Sequence, residues 1–423
     1  MSVAAVTTYV MGDIAVILLV SSLLGGLATR LGQPAVIGQI LTGVALGPTL
    51  LGRLPGDPTG RLFPPQVLPY LGVLSQVAIV TFMFVVGYEL NLRLLRDSGR
   101  TTLSVAAAAL FVPMGLGAAT VLLLPSVFTS VGEHGVGARP FVVFIAVTVS
   151  ITALPVLAAI VRQFGIAGTR PGLVAVSAAG LMDVAAWTVL ATAMPGRPHG
   201  LPASLTVPLT AALALGGALV VRPLLHWWIH RPGSLFTHQL PMAIVLATGC
   251  AWATSELGLH AVFGGFLAGL LMPRRDGAPD ADVLRAMEGT ADLLLPLFFV
   301  VTGLSLDIGA IGRSSVLALC LILLISFAGK LVPGYLASRL NGLDMRQSAT
   351  VAALLNTRGL TELIALDVGL SAGIIHGRLF TVLVLMALVT TAVTSPLLKL
   401  LAVPRHPASA PGEAVPSAGL NGT

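Results

Sequence analysis

Four charged residues stand well inside otherwise apolar stretches of this chain: Asp183, Lys330, Arg358 and Glu362. In a bilayer such a charge costs at least about 2.5–3.5 kcal/mol, so each needs a partner or a function. Arg358 and Glu362 are four apart and would share one helix face, so they can neutralise each other. A purely structural pair and a functional one are both compatible with that spacing. Glu362 reads better as the partner of Arg358 than as a second proton carrier. Asp183 is different, because the positions three and four residues away are Ala179, Gly180, Ala186 and Trp187. It must meet a cation from another helix, meet water, or hold a proton. A carboxylate in a partly dry cavity can be neutralised by a proton or by an alkali cation, but not by both at once. That competition is all that an exchange of one for the other requires.

Two apolar stretches carry polar interruptions. In TVSITALPVLAAIV, Ser150 and Thr152 precede Pro155, which removes a backbone donor and frees the carbonyl of Ile151. In LLNTRGLTELIAL, Asn356, Thr357, Arg358 and Gly359 occupy the middle. Irregular backbone at membrane depth is tolerated where it lines a cavity. Two broken helices running in opposite directions, seven spans apart, are the expectation for an inverted-repeat transporter with its ion site at their crossing.

The elements that would position these groups follow from composition. Apolar residues make up 56% of 423 positions and charged residues 9%, against roughly 25% charged in soluble domains. Uncharged runs of about 20 residues recur, enough to cross the hydrocarbon core as helices. The absence of alternation in stretches such as Val16–Leu27 argues against a β-barrel. The expected fold is an all-α polytopic membrane protein of about thirteen spans. They fall near 10–29, 34–50, 68–88, 102–124, 139–162, 171–194, 203–224, 238–256, 258–273, 289–310, 314–337, 347–370 and 378–402. Asp13–Thr29 reads as a retained span, since no basic segment precedes it. With the N-terminus outside, Arg93, Arg96, Arg100, Arg162 and Arg170 fall on the inner side with most other basic residues, which favours a cytoplasmic C-terminus. Residues 1–403 would form one transmembrane domain and 404–423, rich in Pro, Ala, Ser and Gly, a disordered cytoplasmic tail.

The net charge of +6 is spread over short connections, so topology explains it and nucleic acid is not an expected partner. Cys250 and Cys320 lie in apolar segments and read as packing residues, implying neither a disulfide nor a metal site. No cofactor is expected. Gly180-Leu181-Met182-Asp183 lacks the second aspartate of an intramembrane protease, and no His-Glu-x-x-His is present. The chain is not read as an enzyme. His260 begins a span and His376 lies in an outer connection; capping or solvation accounts for both better than pH sensing.

Six ordered stretches also resemble one family. They are SITALPVLAAIVRQFGI with VAVSAAGLMDVAAWTVLA, LGLHAVFGGFLAGLLMP, LLLPLFFVVTGLSLDI, SFAGKLVPGYLASRL and NTRGLTELIALDVGL. The family is that of the second monovalent cation/proton antiporters, which includes plant cation/H+ exchangers and bacterial potassium-efflux systems. The resemblance implies two inverted repeats forming a dimerisation scaffold and a mobile core, a homodimer, and a place in the cell's inner membrane. It implies that Asp183 alternately holds a proton and a transient alkali cation. Thr152, with neighbouring Ser150, would belong to the first broken helix, Asn356 and Arg358 to the second, and Lys330 would face the ion site. The sequence departs from the family at Met182, where Asp, Asn or Gln is usual. A thioether is a poor ligand for a hard cation, so either Met182 does not touch the ion or the substrate differs. Export of a cation-complexed small molecule, such as a polyether ionophore, is therefore the rival reading, with a channel as a further one.

Overall fold

A computed structural model describes residues 2–89, 99–193, 212, 216–229, 239–257, 260–274, 278–306 and 308–401. The expected tail, and most of the expected span at 203–224, lie outside the described residues. The helices are α1 Val3–Arg30, α2 Ala35–Leu46, α3 Pro58–Leu62, α4 Leu68–Glu89, α5 Arg100–Leu123, α6 Pro125–Thr129, α7 Arg139–Ser150, α8 Leu154–Gln163, α9 Arg170–Ala193, α10 Arg222–Ile229, α11 Gln239–Glu256, α12 Ala261–Leu271, α13 Ala281–Leu304, α14 Arg313–Leu340, α15 Met345–Leu355, α16 Leu360–Ser371 and α17 Gly377–Leu400. Among the described residues, nine stretches are long and apolar enough to cross a membrane, and Ala261–Leu271 is a shorter apolar helix.

Apolarity in these helices does not mark the core, because the outer faces are apolar as well. In α1, Leu19, Leu23 and Leu27 repeat every fourth residue on an exposed stripe that suits lipid, while Ile17, Ser21, Gly25 and Ala28 are buried on the opposite face. With lipid as apolar as leucine, helix pairs gain from close approach instead, and small residues permit it. A Cβ at Gly303 of α13 would stand 2.3 Å from the Cα of Gly43 on α2. One at Gly269 of α12 would stand 2.9 Å from the carbonyl carbon of Gly87 on α4. Neither pair of backbones could come together around a side chain.

Those two glycine contacts are the same contact twice. The series α1, α2, α4, α5, α7–α8, α9 recurs as α11, α12, α13, α14, α15–α16, α17, with the short helix second and the broken one fifth. α2 packs on α13 as α12 packs on α4, so the two halves exchange partners as an internal two-fold demands. The main helix–helix contacts sort the chain into two bundles: α1, α2, α4, α11, α12 and α13 in one, and α5, α7, α8, α9, α14, α15, α16 and α17 in the other. Between them lie thinner contacts. Gln33 Nε2 donates to the Ala392 carbonyl at 3.4 Å. Trp187 meets Phe263 edge to face, with centroids 5.5 Å apart.

Candidate ion-exchange site

Both breaks fall where the sequence interrupts its own helices. α7 closes with the Ile151 N–H donating to the Val147 carbonyl, and 151–153 run extended. A continuous helix would drive the Pro155 ring into the Ile151 carbonyl. With the chain broken, Pro155 sits in the first turn of α8, where its missing N–H is not needed. The second break runs through Asn356, Thr357 and Arg358 to Gly359, which caps α16. A Cβ at Gly359 would lie 2.6 Å from Val156 Cγ2, so the two breaks touch there. They are joined by the Ala153 N–H donating to the Thr357 carbonyl at 3.1 Å.

Ending a helix leaves its last carbonyls without partners, and in a membrane each must be supplied with one. The buried cations do this for α7. Arg358 Nη1 donates to the Thr148 carbonyl at 2.6 Å, and Nη2 donates to that of Val149. Lys330 Nζ donates to the Ser150 carbonyl and, at 2.7 Å, to Thr152 Oγ1. The Thr152 hydroxyl in turn donates to the Leu355 carbonyl at 2.9 Å, capping the other broken helix. Two positive side chains thus meet the negative end of the α7 dipole. Arg358 also holds Glu362 Oε1 at 2.8 Å, both side chains being fully buried. The spacing-based pair is therefore present, but Arg358 has a second task that spacing did not disclose.

Asp183, on α9, is 1% exposed, and neither of its oxygens has a hydrogen-bond partner among the described residues. The Leu154 N–H at the start of α8 and the Lys330 ammonium bear on it electrostatically, without closing a bond. Lys330 thus neighbours the carboxylate while its bonds go to the first break. Buried oxygens without partners among the described residues also include Asn356 Oδ1 and Thr357 Oγ1 in the second break, Thr361 Oγ1 and Glu362 Oε2 just after it, and Thr148 Oγ1 at the end of α7. A set of oxygens and no sulfur or imidazole suits a hard cation. Met182 is buried in the apolar core cluster.

Sequence reasoning passed over two groups. Thr390 and Thr391 of α17 hold the second break: Asn356 Nδ2 donates to the Thr390 carbonyl at 3.2 Å, and the Arg358 N–H donates to Thr391 Oγ1 at 3.2 Å. The threonine pair inside an apolar span was the available signal. His376, expected to be solvated or capping, is exposed and stands at the N-cap of α17; what the sequence did not disclose is Glu133, whose Oε2 lies 2.9 Å from His376 Nδ1 and whose Oε1 accepts from the His376 N–H at 2.9 Å. His260 is a cap, with Nδ1 accepting from the Val262 N–H at 3.5 Å.

Helices broken at facing positions, capped by each other's side chains and set beside an unpartnered buried carboxylate, define a secondary transporter of the broken-helix class. The comparisons then give the family. The sodium/hydrogen exchanger transmembrane family matches residues 15–403, and the chain belongs to it. Over 94% of its length it is 32% identical to the Na(+)/H(+) antiporter NhaS4 of Synechocystis, covering 98% of that protein. It is 31% identical to cation/H(+) antiporter 18 of Arabidopsis thaliana over 95% of its length, spanning 50% of that longer protein. The solved sodium proton antiporter MjNhaP1 of Methanocaldococcus jannaschii shares its fold, with a TM-score of 0.66 at 15% identity, covering 95% of this chain and 98% of that one.

Proposed function

We propose that this protein is a secondary antiporter that exchanges a monovalent cation, Na+ or K+, for H+ by alternating access, the two competing for Asp183. The observation that carries this is a buried carboxylate with both oxygens unpartnered among the described residues, beside the crossing of two broken helices. The relatives are cation/proton antiporters, which favours exchange over export of a cation-complexed molecule. Thr152, Ser150, Asn356 and Arg358 build the crossing around the ion, Lys330 supplies positive charge when Asp183 is empty and anionic, and Glu362 serves Arg358. A loaded, neutralised Asp183 crosses between faces, whereas the bare anion, only partly offset by a Lys330 ammonium that is bonded to the first break, is held back. With no acidic neighbour at position 182, exchange is one for one and electroneutral. The protein sits in the inner membrane as a homodimer, N-terminus outside and C-terminus in the cytoplasm.

The test uses everted vesicles with an acidic lumen, reporting lumenal pH as Na+ or K+ is added outside. The wild type is expected to alkalinise the lumen and Asp183→Asn, at equal membrane abundance, to leave it acidic. Full exchange by Asp183→Asn would end the proposal.

A further inference from the structure

A cavity of 560 Å³ lies between the two bundles. Its mouth is at Thr29 and Gln163, near the ends of α1 and α8, and its floor is at Pro155 and Leu360, in the first turns of α8 and α16. Among the described residues the lining carries one charge, Asp292 of α13, and three carboxamides, Gln33, Gln39 and Gln163. Asp292 is the twelfth residue of its helix. Asp282 and Arg285, in the first turns of that helix, are exposed, and at 1.5 Å per residue Asp292 stands about 10 Å further in than Arg285. Asp292 is exposed, lines the cavity and has no ion pair among the described residues, which suits a group that meets mobile cations in water.

The floor gives the carboxylate a field to offset. The first turns of α8 and α16 both present the positive ends of their dipoles to the cavity. Asp183 and Glu362 stand behind those half-helix N-termini, and on the cavity side Asp292 is the anion that offsets them for an entering cation. The volume sets the form of the visitor: at about 30 Å³ per water, the cavity admits a cation with its first hydration shell and more. Carboxamide oxygens and a carboxylate suit such an ion.

We propose that Asp292, with Gln33, Gln39 and Gln163, forms a second cation station, where a hydrated monovalent cation is gathered before it passes the half-helix N-termini to Asp183. Its place on the route rests on the assignment of Asp183 above; its cation-gathering field does not, and the two are tested apart. In the everted vesicles, Asp292→Asn is expected to raise the half-saturating Na+ or K+ concentration several-fold, with a much smaller fall in the rate at saturating cation. Asp292→Glu is expected to recover most of the difference. An unchanged half-saturation, or complete loss of exchange as in Asp183→Asn, overturns the station.

A transport-independent measurement reads the field itself. Ala159 faces the same cavity, so Ala159→Cys, in a chain with Cys250 and Cys320 replaced by serine, reports its potential. A cationic thiosulfonate added to the cytoplasmic face is expected to modify this cysteine several-fold faster than an anionic one of similar size. Adding Asp292→Asn should bring the ratio close to one. Equal rates with Asp292 present, or a ratio unmoved by its removal, overturn the proposal even if the Asp183 test succeeds. A collapsing ratio upholds the cation-gathering field even if that test fails.

Discussion

Arg358 touches α7, α16 and α17, and most of its donors are committed to fixed partners. Its guanidinium caps Thr148 and Val149 and pairs with Glu362. Breaking a buried pair from one side leaves an uncompensated charge and costs about 3–5 kcal/mol. Arg358→Met is therefore expected to lower the melting temperature in detergent sharply. Arg358→Met with Glu362→Gln should recover part of the loss by removing the stranded carboxylate. An Arg358→Met melting temperature equal to wild type would show that the caps carry no stability. Lys330 and Thr152 form a tighter test, because one donates to the other at 2.7 Å. Side chains in contact are non-additive by about 0.5–3 kcal/mol. Lys330→Met and Thr152→Val, alone and combined, are expected to couple within that range in denaturation, and strictly additive losses would contradict the contact. The four intramembrane charges and the Arg358–Glu362 spacing were legible in the sequence. The capping role of the two cations was not, since it depends on carbonyls of α7 some 180 and 210 residues away in the chain.

At the scale of elements, the breaks could be read because proline and a polar Asn-Thr-Arg-Gly run interrupt apolar helices, and both helices do stop there. The start of α13 was read too late. Its first turns carry Asp282, Arg285, Glu288 and Asp292, so hydropathy takes them for a connection, and a span beginning at 289 left Asp292 looking like an end residue. The helix begins at Ala281 because Val283, Met287 and Ala291 repeat at helical spacing and bury one face. Only the packing partner reveals that face as a core. The closeness of the breaks was equally hidden, and it yields a prediction. Gly359→Ala would place its methyl 2.6 Å from Val156 Cγ2, on a β-branched side chain with little freedom to turn away. Overpacking of this kind costs about 1–3 kcal/mol. Exchange and melting temperature should both fall in Gly359→Ala, and adding Val156→Ala should restore only part of each, because the space opens while the alanine backbone stays strained at φ +158°. A Gly359→Ala protein indistinguishable from wild type would mean that the breaks have room between them.

For the whole molecule, the separation into two bundles with thin contacts and a cavity between them is what alternating access requires. The glycine contacts lock helices within a bundle, while the joint retains a carboxamide bond at Gln33–Ala392 and an aromatic edge at Trp187–Phe263. If the bundles move against each other during exchange, tying them together must stop it without disturbing either one. Gln33→Cys with Ala392→Cys, in a chain with Cys250 and Cys320 replaced by serine, places one thiol on each side of the joint. Treatment with a short bifunctional reagent containing a reducible bond is expected to abolish exchange in everted vesicles, and reduction to restore it. The single Gln33→Cys chain under the same reagent controls for modification of the cavity residue, and should lose far less. Undiminished exchange by a fully cross-linked chain would mean that the ion reaches both faces with the joint closed, and that the moving part lies within the bundle of the broken helices.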